Sequence, residues 1–357
     1  MAEKRLPVIV PPGRAVHPEL VPYLGQLRPF SNPYEDIEAT RERFLGLLAL
    51  SPADRTGVSS ARYDIARPDG SALTVEVYRP ERTGSAEGAE GPAGEDPLPA
   101  VLHFHGGGYA IGRSLPGQDR SAIALCRDLP AIVVTVEYRL APEHRYPAGV
   151  EDCYLALEWA AKQAGELGID ADRIAVTGNS AGGGLSAAVA LMARDRGGPA
   201  LVYQSMCVPD VDDRAAEQPI PAVMEDAGAG SGADAPPNPW LNSLRTVRLV
   251  WQHYLPEGTT VPDAYASPAR ATDLSGLPPA YVMVCDLDPL RDTGLAYARR
   301  LMDAGVPVTV RNVPGAWHGF ELHAPGTRLA RETKAHWRDH VRSALYPEPA
   351  EGAGAEA

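Results

Sequence analysis

The sequence predicts an α/β fold, a mostly parallel central sheet covered by helices, and three observations carry that reading. Strand-like apolar runs alternate with helical patterns along most of the 357 residues. The runs are apolar on both faces, as strands buried between two helix layers must be. Finally, Gly178-Asn179-Ser180-Ala181-Gly182 links the apolar run Arg173 to Thr177 to the Ala-rich run Leu185 to Ala193, which reads as strand, sharp turn and helix with a serine at the apex.

The first elements are Arg62 to Arg67 and Leu73 to Tyr78, separated by Asp69-Gly70 as an antiparallel hairpin that opens the sheet. Further strands are expected at Ala100 to Phe104, Ala131 to Glu137, Arg173 to Thr177, Ala200 to Cys207, Ala280 to Cys285 and Val306 to Val313. Helical patterns fall between most of them, near Asp119 to Asp128, Val150 to Leu167, Ala181 to Arg194 and Asp292 to Ala304. A last amphipathic helix, about Arg328 to Leu345, closes the series.

Two stretches break the rhythm. Arg82 to Pro97 is rich in Gly, Ala and Glu with almost nothing to bury, and reads as a mobile surface loop. Asp210 to Pro262 interrupts the alternation: Ala227 to Pro239 is nearly all Gly, Ala and Pro, and a helical segment with Trp240, Leu244, Val247, Trp251 and Tyr254 follows. An insertion over the C-terminal edge of a sheet is a candidate lid, so a helical cap is expected there. The resulting division is an N-terminal arm and helix over 1–58 that joins the cap, a core over 59–209 and 263–346, a cap insertion over 210–262, and a disordered tail over 347–357.

Composition narrows the function classes. Lys+Arg 33 against Asp+Glu 46 gives a net charge of -13, which repels a phosphate backbone and an anionic lipid surface, so nucleic acid is not an expected partner. Cys126, Cys153, Cys207 and Cys285 are far apart and mostly in apolar segments; they read as reduced, buried thiols of a cytoplasmic protein. The apolar stretch Val8 to Val10 is stopped by Pro11 and Pro12, and no secretory or membrane-spanning segment is expected. The sequence leaves a homo-oligomer open.

The chemistry centres on Ser180. In a G-x-S-x-G elbow, glycines flank the serine because larger side chains would collide with the strained turn, which lifts the hydroxyl above the sheet edge. The pentapeptide alone is weak, since a tight βα turn can carry the same residues. His105-Gly106-Gly107-Gly108 strengthens it: the run follows a strand and leaves backbone N–H groups unobstructed. Such fixed donors stabilise the oxyanion of a tetrahedral intermediate, each worth roughly two to three orders of magnitude in rate.

At this point the chain resembles the hormone-sensitive-lipase-like family of α/β-hydrolase serine esterases. The segments that carry the likeness are His103-Phe-His-Gly-Gly-Gly-Tyr109, Glu137-Tyr-Arg-Leu-Ala-Pro-Glu-His-Arg-Tyr-Pro147, Gly178-Asn-Ser-Ala-Gly-Gly183, Asp288-Pro-Leu-Arg-Asp292 and His318-Gly-Phe320. The resemblance implies the α/β-hydrolase fold with a helical cap, Ser180 as nucleophile, His318 as general base and Asp288 as the acid that orients it. It further implies that Gly107, Gly108 and Ala181 donate to the oxyanion. The roles fit the chemistry, because an alcohol becomes nucleophilic only when an imidazole takes its proton, and the imidazole needs a buried acid to fix its tautomer.

Alternatives stand beside these assignments. Asp286 competes with Asp288, while Asp292 reads as a helix N-cap. No metal site is expected, and acyl transfer of this kind implies no cofactor. His103 and His105 are expected to pack and hydrogen-bond in support of the oxyanion loop. Asn179 departs from the Asp common before the nucleophile in this family. Tyr109, Trp240, Trp251, Tyr254 and Phe320 are candidate walls of a substrate pocket, each equally readable as core. The expected activity is hydrolysis of small to medium, uncharged acyl esters. An acyltransferase or tailoring hydrolase is the alternative, and a ligand-binding receptor on a hydrolase scaffold a weaker one.

Overall fold

The apolar runs resolve into eight strands among the described residues: β1 Val58–Ala66, β2 Ala72–Pro80, β3 Leu98–Phe104, β4 Ile132–Val136, β5 Ile169–Asn179, β6 Tyr203–Cys207, β7 Ala280–Cys285 and β8 Val308–Val313. The computed structural model describes residues 15–26, 34–42, 53–81, 96–113, 119–217 and 244–348. The residues from Arg82 to 95, the stretch Ala227 to Pro239, Trp240, most of the N-terminal arm and the tail beyond Glu348 lie outside them.

The strands form one sheet in the order β1-β2-β4-β3-β5-β6-β7-β8. The β1–β2 and β2–β4 pairs are antiparallel, and every pair from β4 onward is parallel. The register aligns the strand ends that matter: Asn179 lies beside Cys207, Cys207 beside Met283, and Cys285 beside Val313. The loops that leave β5, β6, β7 and β8 therefore emerge side by side at one edge.

The α-helices with both ends among the described residues are α1 Asp119–Asp128, α2 Ala148–Lys162, α3 Ala164–Leu167, α4 Ala181–Arg196, α5 Leu244–Tyr254, α6 Arg291–Asp303, α7 Phe320–His323 and α8 Arg328–Leu345, and short 3-10 helices form at Pro18–Gln26, Asp213–Glu217 and Pro268–Arg270. Side chains alternate across the pleat, which sorts the core into faces. Ala100, Leu102 and Phe104 of β3 pack with Val150 and Leu157 of α2 and Leu185, Val189 and Met192 of α4. Val101, Val133 and Ala175 point the other way, toward Ile123 and Leu125 of α1 and Val341 and Leu345 of α8. Each of the Val, Leu, Ile, Met and Phe side chains among them contributes about 1.5–3 kcal/mol on burial, the alanines less.

Several elements begin a few residues from where they are expected, the first strand at Val58 rather than Arg62 and the sixth at Tyr203 rather than Ala200, and two differ in ways that bear on the sheet and its cover. The helix expected over Val150 to Leu167 is two helices broken at Gln163. Strand β5 begins at Ile169 rather than Arg173, because Ile169 pairs with Leu98 of β3 across a register shift. Parallel pairing overrides the polar run Asp170-Ala-Asp-Arg173, which by itself resembles a loop.

Candidate active site

Ser180 sits between β5 and α4 with φ 57 and ψ -123, a backbone region that a side chain with a Cβ rarely adopts. Hydrogen bonds hold it there. Its N–H donates to the Cys207 carbonyl at 2.8 Å, and its carbonyl accepts from Gly184 N and Asp210 N, each at 3.1 Å. Two residues on, a Cβ at Gly182 would press into the backbone of Phe104 and His105, so only glycine lets α4 start so close to β3. Ala181 is the first residue of α4, where backbone N–H groups lack intrahelical acceptors and the helix dipole favours negative charge.

The His105–Gly108 loop faces this turn from the end of β3. Gly107 has φ 117, and a Cβ on it would come 2.8 Å from the Ile111 backbone. The loop closes on the Gly107 carbonyl, which accepts from Ala110 N at 3.1 Å and Ile111 N at 2.8 Å. Among the described residues the N–H groups of Gly107 and Gly108 donate to nothing within the protein. His105 braces the loop: its Nδ1 lies 2.8 Å from the Gly106 carbonyl, Tyr138 Oη donates to its carbonyl at 2.8 Å, and the two rings stack at 4.2 Å. Burial pushes the His105 pKa down to about 4, so it is neutral. His103 is equally buried, but neither ring nitrogen has a hydrogen-bond partner among the described residues, so its part is packing alone.

Three predicted residues come together. His318 Nε2 is 3.0 Å from Ser180 Oγ, and His318 Nδ1 is 2.6 Å from Asp288 Oδ2. An ionised carboxylate only accepts, so Nδ1 carries the hydrogen and Nε2 is left as an acceptor for the serine hydroxyl. Asp288 Oδ1 accepts from Leu290 N at 3.0 Å, which fixes the carboxylate plane. Asp286 turns to Arg291 instead, with Nη1 3.2 Å from its Oδ1. Asp292 is not the N-cap: α6 starts one residue earlier, after Leu290, and Asp292 lies in its first turn, paired with Arg291.

Two acids near the imidazole went unnoticed in the sequence. Glu321, three residues past His318, has a buried Oε2 without a hydrogen-bond partner among the described residues. Asp210, just past β6, is 4% exposed. Burial works against a charged His318, but Asp288, by charge and hydrogen bond, and then Glu321 and Asp210 outweigh it, so its pKa lies above the ordinary 6.5. The available signal was position: a polar residue directly after an apolar strand, or one turn from the candidate base.

Of the candidate pocket residues, Tyr109, Trp251 and Tyr254 form one cluster. Tyr109 stacks on Tyr254 at 3.9 Å, and Trp251 lies 6.0 and 5.8 Å from the two rings. Phe320 is apart from them, fully buried in the cluster that contains Trp317 and Val313. That is the ordinary core role open to it from the start.

A mostly parallel sheet with a serine elbow after β5, an acid after β7 and a histidine after β8 defines an α/β hydrolase. The sequence profile of a family described as alpha/beta hydrolase fold matches residues 101–322, and the protein belongs to that family, in its hormone-sensitive-lipase-like branch. It is 43% identical to the carboxylesterase NlhH of Mycobacterium tuberculosis over 280 residues, 77% of this chain and 79% of that one. It is 41% identical to the esterase LipI of the same organism over 320 residues, 89% and 92% of the two chains. Among solved structures, a bacterial heroin esterase superposes with a TM-score of 0.78 at 35% identity, over 93% of this chain and 98% of the other.

Proposed function

We propose that the protein is a carboxylesterase-type serine hydrolase that cleaves small to medium acyl esters through an acyl-enzyme. The observation that carries this reading is the continuous hydrogen-bonded series Ser180 Oγ, His318 Nε2, His318 Nδ1 and Asp288 Oδ2, at 3.0 and 2.6 Å. Relatives called carboxylesterase and esterase support it.

In the first half-reaction Ser180 Oγ attacks the ester carbonyl carbon as its proton passes to His318 Nε2. The negative charge that develops on the carbonyl oxygen is met by the N–H groups of Gly107, Gly108 and Ala181. Asp288 holds Nδ1–H and steadies the imidazolium. Collapse of the intermediate returns that proton to the departing alcohol oxygen, and water then repeats the sequence on the acyl-serine, delivering the acid. No step calls for a cofactor or metal.

We assign the cap to the N-terminal arm and the insertion over 210–262. His253 Nε2 lies 2.9 Å from the Tyr34 carbonyl, and Arg245 pairs with Glu35, so the two segments touch. Arg145 reaches the carbonyls of Gln252, His253 and Leu255, tying the end of α5 to the core. Four buried free cysteines accord with a reducing, cytoplasmic setting, and the acidic balance speaks against nucleic acid. No described helix is long and apolar enough to cross a membrane.

The test is a panel of p-nitrophenyl esters of graded acyl length. The wild type should hydrolyse the short members, and Ser180→Ala should lower kcat by about 10⁶-fold with the circular dichroism spectrum unchanged. Undiminished hydrolysis by that variant would remove the proposal.

A further inference from the structure

Several buried carboxylates among the described residues have guanidinium partners. Asp152 is held by Arg67 and Arg139, Asp213 by Arg270, and Glu76 by Arg55 and Arg62. Asp210 has none among the described residues, and of the carboxylates without one it is the one bonded into the serine turn, through its backbone N–H. Its carboxylate has one hydrogen-bond donor among the described residues, Trp251 Nε1 at 3.1 Å on Oδ1, and no ion pair among them.

The residue is not remote from the chemistry. Its backbone N–H donates to the Ser180 carbonyl at 3.1 Å, its own carbonyl accepts from Tyr109 Oη at 2.9 Å, and its charge is felt by His318. The groups that face it are Trp251 and Tyr254 on α5, Tyr109 on the oxyanion loop, Tyr34 on the N-terminal arm, His318 and Asp288 across the site, and Asp212 on its own loop. Four of these are electron-rich rings, and the remainder carry more negative than positive charge. Burial, opposed by Trp251 and His318 and reinforced by Asp288 and Asp212, pushes the Asp210 carboxyl up to about 7. An acid at the edge of a buried cluster that holds Tyr34, Tyr109, Trp251 and Tyr254, with an indole as its sole side-chain donor among the described residues, is what a cation would complete: it adds the missing charge and favourable contacts with the rings.

We propose that Asp210, with Tyr34, Tyr109, Trp251 and Tyr254 around it, forms the acyl subsite and selects esters whose acyl chain carries an ammonium group. This rests on the esterase reading and narrows it, replacing the uncharged acyl group expected from sequence. The assignment to the acyl rather than the alcohol side follows from the order of events. The alcohol leaves while the acyl group stays bound to serine, and water must enter by the vacated path, so the enclosed wall belongs to the group that remains. A net charge of -13 draws cations to the protein at long range.

The experiment uses p-nitrophenyl esters of trimethylammonio-alkanoic acids of graded length, each beside a neutral ester with carbon in place of nitrogen. At the best-fitting length the wild type should favour the cationic member by about tenfold or more in kcat/KM. In Asp210→Asn, which keeps an oxygen for Trp251 Nε1 but has no charge, that ratio should fall toward one. In the wild type the ratio should rise with pH through about 7, as Asp210 ionises, and be flat in the variant; titration of His318 cancels because it acts on both esters. Butyltrimethylammonium at constant ionic strength should compete with a neutral ester in the wild type and lose that effect in Asp210→Asn, a readout that needs no cationic substrate. A ratio near one at every length, or a preference that survives Asp210→Asn, would overturn the proposal. If Ser180→Ala cleaves the neutral esters as well as the wild type does, the esterase reading itself has failed and this proposal falls with it.

Discussion

The loops at the ends of β6 and β7 each bury a carboxylate at the same sheet edge, and they equip it differently. The Asp288 side chain is 1% exposed and has donors within the protein on both oxygens, His318 Nδ1 at 2.6 Å and Leu290 N at 3.0 Å. The Asp210 carboxylate accepts only from an indole among the described residues. The first acid is committed to a partner that the fold supplies, and its geometry is complete without a substrate. The second has a single side-chain donor among the described residues, on the edge of an aromatic cluster drawn from distant segments, and under the proposal above the substrate supplies its counter-charge. The contrast separates the machinery that any ester would use from the wall that chooses among esters.

Removing the committed acid should have the larger effect. Asp288→Asn leaves the shape but can stabilise the wrong imidazole tautomer, and kcat should fall by about 10⁴-fold, whereas Asp286→Asn should change it little, because Asp286 is turned to Arg291. Steady-state kinetics on one short ester decides this, and a large loss on Asp286→Asn with little on Asp288→Asn would reverse the assignment.

Trp251→Phe probes the other acid. It strips the donor from Asp210 and should lower stability by about 1–3 kcal/mol in urea unfolding. The pH dependence has a definite sign. Because the folded carboxyl titrates near 7, above its ordinary 3.8, the fold holds that proton more tightly than the unfolded chain does, and the group's contribution to stability is lost as pH rises from about 4 through 7. The Trp251→Phe penalty should therefore be greater at pH 8 than at pH 5, and an equal penalty at both would count against an ionised Asp210.

The smallest effect is expected from Glu321. His318 must be neutral to accept the serine proton, so the acid limb of kcat/KM should lie above 6.5. Glu321→Gln removes one of the negative charges that raise it and should move that limb to lower pH; a limb that stays or rises contradicts the role given to Glu321.

Much of this was legible in the sequence, for a physical reason. Ala280–Cys285, Asp119–Asp128 and Arg328–Leu345 form with the bounds their apolar periodicities predict, because burial on a fixed face dictates both the pattern and the element. The elbow and the glycine loop were readable because close backbone approach excludes side chains, which leaves a signature in residue type. What escaped depended on tertiary partners. The early start of β5 rests on its pairing with β3, the break at Gln163 interrupts an unbroken helical pattern, and α6 begins at Arg291 with Asp288 bonded to Leu290 N just before it. Asp210 resembled the first residue of a polar insertion, since nothing local says that Trp251 will bond its carboxylate and Tyr109 its carbonyl.

The central claim is that His318 makes Ser180 a nucleophile, and a fluorophosphonate that reacts only with an activated serine tests it most directly. Mass spectrometry of the labelled wild type should find the phosphonyl group on the peptide containing Ser180, and His318→Ala should suppress the labelling rate by several orders of magnitude at unchanged fold. Labelling at another serine, or equal rates with and without the imidazole, would contradict it.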